Sequence, residues 1–105
     1  MPIKNLKDTL DGLIVALCAD YDRREEIILG RMAQRRVDNE LRYINFKIFD
    51  ATAEIVGEGR AADFIREIGQ RIGFVNAADH YMSEGTYKHY KALVKENLVK
   101  KLYLK

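Results

Sequence analysis

The stretch VDNELRYINFKIFDATAEI, residues 37–55, decides the fold. Val37, Leu41, Ile44, Ile48, Ala51 and Ile55 recur in alternating steps of four and three, the spacing that gathers side chains on one side of an α-helix. Tyr43, Phe46 and Phe49 widen the stripe, so this helix carries aromatic side chains on more than one side. Such a long seam invites a partner helix. The steps of two that mark a half-buried strand are not sustained here or elsewhere in the chain.

Upstream, Leu6, Leu10, Leu13, Ile14, Leu17, Cys18 and Tyr21 repeat the same period and predict a helix from about Lys4 to Ala19, which Asp20 interrupts or caps. A charged run, Asp22 to Glu26, precedes Ile27, Ile28 and Leu29. Its carboxylates are flanked by Arg23 and Arg24 and read as a solvated, salt-bridging patch. Gly30 then admits either a break or a helix-interior glycine tolerated at ~1 kcal/mol.

Downstream, Gly57-Glu58-Gly59 ends the long helix, one glycine closing it and the next freeing the chain to turn. A third helix is expected from about Ala61 to Ile72, with Phe64, Ile65, Ile68 and Ile72 inward and Gly73 as its stop. Asp63, Arg66, Glu67, Gln70 and Arg71 form its outer face. Residues 74–82, FVNAADHYM, are the least regular piece, with Asn76 placed to cap one short turn. Ser83 then caps a last helix running from about Glu84 to Leu102. On it Tyr87, Tyr90, Val94, Leu98 and Lys101 share one side, while Glu84, Lys88, Lys91 and Lys95 line up on a neighbouring one. The expected fold class is therefore all-α: a compact bundle of about four to five helices with a C-terminal helix-turn-helix-like pair. One domain, 1–105, contains it, divided into scaffold and dimerisation helices (1–59) and the helix-turn-helix-like region (60–105).

Length and composition bound the function. A chain of 105 residues, 48% apolar and 32% charged, with one proline (Pro2), is one domain that buries about 65% of its surface. A lone cysteine forms no internal disulfide, which points to the cytoplasm. The longest uncharged apolar run, Leu13 to Ala19, falls far short of the ~20 residues that span a bilayer, so no membrane role is expected. Phosphate-binding glycine loops, nucleophile elbows and metalloprotease motifs are missing, and His80 and His89 lack the i,i+4 spacing of paired ligands. Neither an enzyme nor a cofactor, metal or small-molecule substrate is expected.

The net charge of +2 divides unevenly. Residues 1–83 hold twelve basic and fourteen acidic groups, whereas residues 84–105 hold six lysines against Glu84 and Glu96. A basic tail of this kind is either an electrostatic footprint for nucleic acid or a solvated helix end whose lysines favour the negative pole of the dipole. The segments FIREIGQRIGF (64–74) and SEGTYKHYKALVKENL (83–98) have helix-turn-helix grammar, a short amphipathic helix followed by a serine-capped one. In that reading Ser83, Glu84, Gly85, Thr86, Lys88 and His89 meet double-stranded DNA at the groove, and Lys91 and Lys95 lie along the phosphates. Tyr87 points back to hold the helix on its scaffold.

Ile68-Gly69, Ile72-Gly73-Phe74, the run Ser83, Glu84, Thr86, Tyr87, Tyr90, Lys91 and the closing KKLYL (100–104) resemble the C-terminal part of small phage and prophage regulators of Gram-positive bacteria. The stretch is most similar to the helix-turn-helix of ArpU-like and RinA-like transcriptional regulators. That resemblance implies a sequence-specific DNA-binding regulator whose recognition helix opens at Ser83. In this chain Ser83 stands ten positions after Gly73, a longer connection than the 3–4-residue turn of a standard motif.

Two stripes of this length in residues 1–59 imply a homodimer that sets two basic helices symmetrically; in the competing arrangement, Tyr43, Phe46 and Phe49 pack under the C-terminal helix of a monomer. The alternative to DNA binding is a small helical protein-binding module, a phage adaptor or inhibitor. Exposure of Glu84, Lys88, His89, Lys91 and Lys95 separates the two.

Overall fold

The structure, a computed structural model, describes residues 6–30, 35–77 and 82–102. Five α-helices account for most of them: α1 (Leu6–Ala19), α2 (Tyr21–Gly30), α3 (Arg35–Val56), α4 (Glu58–Gly69) and α5 (Glu84–Leu102), with a 3₁₀ turn at Phe74–Asn76 before α5. Among the described residues there is no strand. The expected all-α bundle is what the chain forms.

α3 is the central element. α2, α4 and α5 all pack against it, and α4 also lies along α1. The core draws Ile14, Val15 and Cys18 from α1, Ile48 and Ala51 from α3, Phe64, Ile65 and Ile68 from α4, and Tyr87, Val94 and Leu98 from α5. Most belong to the stripes read from the sequence, which is the expected result of burying apolar area. Leu13 departs from its stripe and is exposed, while its neighbour Val15 is buried.

α1 and α2 are separated by Asp20 alone, whose carbonyl accepts from Arg24 N–H at 2.9 Å. The charged run does not form a wholly solvated patch. Arg24 is 8% exposed, donates from Nε to Asn45 Oδ1 at 2.5 Å and from Nη2 to the Leu17 carbonyl at 2.5 Å; Asn45 Nδ2 donates to the Tyr21 carbonyl at 3.1 Å. This knot ties the end of α1, the start of α2 and the middle of α3. A buried guanidinium is tolerable because its donors meet acceptors.

The boundaries of α4 differ from expectation at both ends. Gly57, with φ 90°, makes the whole break, and Gly59 sits inside the first turn of α4. The helix closes after Gly69 rather than at Gly73: Arg71 takes φ 55°, Ile72 N–H donates to the Glu67 carbonyl at 2.9 Å and Arg71 N–H to Ile68 at 3.3 Å. That is the Schellman closure, with arginine where glycine is usual. α4 meets α1 at this point: a Cβ on Gly69 would lie 2.5 Å from Ala19 N. Gly73 instead opens the 3₁₀ turn in extended conformation, and Asn76 ends that turn rather than capping a later one. Fourteen residues, 70–83, join α4 to α5.

Candidate functional site

The start of α5 follows from its sequence. Thr86 N–H donates to Ser83 Oγ at 3.2 Å, the hydroxyls of Ser83 and Thr86 are 3.0 Å apart, and Tyr87 N–H donates to the Ser83 carbonyl at 2.9 Å. This is the serine cap that the spacing predicts. Tyr87 turns inward as expected, packs on Phe64 and Phe74 with ring centroids 5.5 and 5.6 Å away, and donates its hydroxyl to Glu67 Oε1 at 2.6 Å. Glu67 is thus not on an outer face; it is 4% exposed. Burial, then the Glu67 carboxylate, push the Tyr87 hydroxyl above its usual range.

The structure divides the eight residues read as a DNA-contacting set. Ser83, Glu84, Gly85, Thr86, Lys88 and His89 are all exposed. Lys91 and Lys95 are half-buried and directed at the protein itself. Lys91 Nζ donates to the Ile72 carbonyl at 2.7 Å and lies 5.2 Å from the centre of the Tyr87 ring. Burial and the nearby Lys95 hold its ammonium below the usual lysine range. Lys95 Nζ pairs with Asp11 Oδ1 at 3.0 Å. The other described lysines of α5 are paired too: Lys88 with Glu84 at 2.9 Å, Lys100 with Glu96 at 3.9 Å and Lys101 with Glu54 at 3.1 Å. The basic tail is therefore largely compensated within the fold, although the exposed pairs are easily exchanged for other partners. His80 lies outside the described residues.

A second surface lies on α2 and α3. Leu29 is 83% exposed, Tyr43 62% and Phe46 59%, so Tyr43 and Phe46 do not pack under α5. Between the helices runs an open groove of about 580 Å³ lined by Tyr21, Glu25, Ile28, Leu29, Arg42, Phe46, Phe49 and Asp50 among others. A shallower hollow of about 430 Å³ lies beside Asn39, Glu40, Tyr43 and Ile44. Lys47 Nζ sits 5.4 Å from the centre of the Tyr43 ring.

Burial pushes the Cys18 thiol up to about 12, which suppresses the thiolate a nucleophile needs. Among the described residues no group of three or more His, Cys, Asp or Glu is placed to hold a metal ion. No helix there is long and apolar enough to cross a membrane.

Sequence reasoning missed Arg24, Asn45 and Glu67 as buried polar groups. Asn45 did carry a signal, since it stands four residues after Leu41 and three before Ile48 and so belongs to the covered side of its helix. Arg24 carried a similar one, three residues after Tyr21 and four before Ile28, whereas Glu67 carried none and is buried by a partner twenty residues away. Comparison with known proteins returns no match: no family model, curated protein or solved structure aligns significantly with this chain.

Proposed function

We propose that this chain is a non-catalytic helical protein-binding module whose working surface is the apolar face formed by α2 and α3. The observation that carries the reading is the contrast between two surfaces. Leu29, Tyr43 and Phe46 are exposed together, whereas every described lysine of α5 has a partner within the chain. An exposed aromatic group buried on binding contributes to affinity, while a lysine already engaged must first give up its partner. The chain offers a scaffold and a surface, and no cofactor is needed for either.

Photo-crosslinking in the producing cell tests this. A benzophenone side chain at Phe46 is expected to give protein adducts, with few or none from the same group at Ala92 on the exposed side of α5. Adducts to DNA from position 89, with none to protein from position 46, would overturn the reading.

Sequence-specific DNA binding by a phage-type regulator is the second reading. The exposed, serine-capped first turn of α5, with Gly85 open to close approach, favours it, as does the likeness to ArpU-like and RinA-like regulators. It requires affinity that weakens steeply with added salt, and Lys88→Ala to lower discrimination between sequences by ~1–3 kcal/mol.

A further inference from the structure

We propose that the open face of α3 binds a second copy of this chain, the two α3 helices lying antiparallel about a two-fold axis that passes beside Phe46. This rests on the reading of the α2/α3 face as the working surface and names its partner.

α3 is covered on its other sides by α2, α4 and α5. At about 100° per residue, Arg42, Tyr43, Phe49, Asp50 and Ala53 all project within about 60° of Phe46, so the strip that no described element covers is centred on that residue. Arg42 and Asp50 stand four residues to either side of it, ~6 Å away along the axis at 1.5 Å per residue. Both are exposed, and neither is ion-paired with another described residue.

An antiparallel pair centred on Phe46 brings together positions equally far from it. Arg42 then faces Asp50 of the second copy, and two-fold symmetry produces the same contact again at the other end. The two Phe46 rings meet at the centre, an arrangement in which aromatic pairs contribute beyond their buried area. A parallel pairing would set Arg42 against Arg42 and Asp50 against Asp50. The charges thus complement the same face turned through the two-fold axis, which a foreign helix would have to match by coincidence.

The test is the molar mass in solution of the full chain, measured by light scattering and sedimentation equilibrium. The wild type is expected to be a dimer. Arg42→Asp and Asp50→Arg alone each place like charges at both contacts and are expected to weaken the dimer about tenfold or more. Mixed in equal amounts, the two variants are expected to dimerise as well as the wild type, because each contact of the mixed pair again joins a carboxylate to a guanidinium. Circular dichroism verifies that these exposed substitutions leave the helices intact. A wild type that stays monomeric at the highest concentration reached overturns the proposal, as does a mixture no better associated than its components. In that second case Phe46→Glu tells two failures apart: loss of the dimer leaves the α2/α3 face standing and removes only the register, and an unaffected dimer removes both.

Discussion

The Tyr87 hydroxyl donates to Glu67 Oε1 at 2.6 Å and also lies 3.5 Å from the Ile72 carbonyl, so one side chain of α5 closes over the end of α4. Lys91 reaches the same carbonyl one turn later. The first turns of α5 are held to the fold by these contacts rather than by a short turn.

Tyr87→Phe keeps the ring packing and removes the donor to a buried carboxylate. It is expected to cost about 1–3 kcal/mol in denaturant unfolding, since an acceptor left short of a donor keeps its desolvation penalty. Glu67→Gln, which retains an acceptor for the hydroxyl, should cost less. Equal losses in the two variants would place the stabilisation in the carboxylate's other contacts.

Two glycines should respond to alanine with opposite signs. Nothing lies within 4 Å of a Cβ built on Gly12, in the middle of α1, so Gly12→Ala should stabilise by ~0.5–1 kcal/mol through helix propensity. A Cβ on Gly69 meets Ala19 N at 2.5 Å and the Cys18 carbonyl carbon at 2.6 Å. Backbone cannot yield as a side chain does, so Gly69→Ala should lose roughly 1–3 kcal/mol, as overpacked sites do. Thermal unfolding of the pair checks both signs.

Arg71 holds a left-handed conformation at the close of α4 with φ 55°. Arg71→Gly removes that strain but adds freedom to the unfolded chain, and the balance predicts stabilisation of up to about 1 kcal/mol. Arg71→Val, β-branched, should be the less stable variant. Denaturant midpoints for the two variants should fall on opposite sides of the wild type.

Asn45→Ala withdraws the acceptor from the buried Arg24 Nε and the donor from the Tyr21 carbonyl. A hydrogen bond to a charged group is worth about 1.5–3 kcal/mol, and the loss should be of that size. Hydrogen exchange should show the α1–α2 junction opening more readily than α5.

Stability should fall as pH rises above about 9. Burial pushes the Cys18 thiol from 9.0 up to about 12; burial, then Glu25, push the Tyr21 hydroxyl from 10.0 up to about 12; Tyr87 moves in the same direction. Each group favours folding fully below its unfolded value and loses that contribution as pH climbs through its folded value. Lys91 has the opposite sign: its lowered ammonium opposes folding at neutral pH and ceases to do so near 10.5. Arg24 is also lowered, but from 12.5 and so acts above this range; among the described residues the three raised groups outweigh Lys91 and predict net alkaline destabilisation. Unfolding free energies measured across this range check it, and Cys18→Ala should flatten the first part of the decline.

The stripes read along the chain determined the helices and the core, because 3.6-residue periodicity is a local property that burial then follows. Ser83 with Thr86 was enough to locate the start of α5, since a cap needs only neighbours in sequence. Position within an aromatic-rich helix did not say which rings would be buried. Phe49 is half-buried while Phe46, three residues earlier, is open, because α2 covers one flank of α3 and nothing described covers the next. The lysine row was equally legible as a row, yet its fate was decided by where α1 and the end of α4 came to rest: Asp11 takes Lys95 and the Ile72 carbonyl takes Lys91. Periodicity and capping are short-range and can be read residue by residue. The pairing of charges across helices depends on distances that exist only once the bundle has closed.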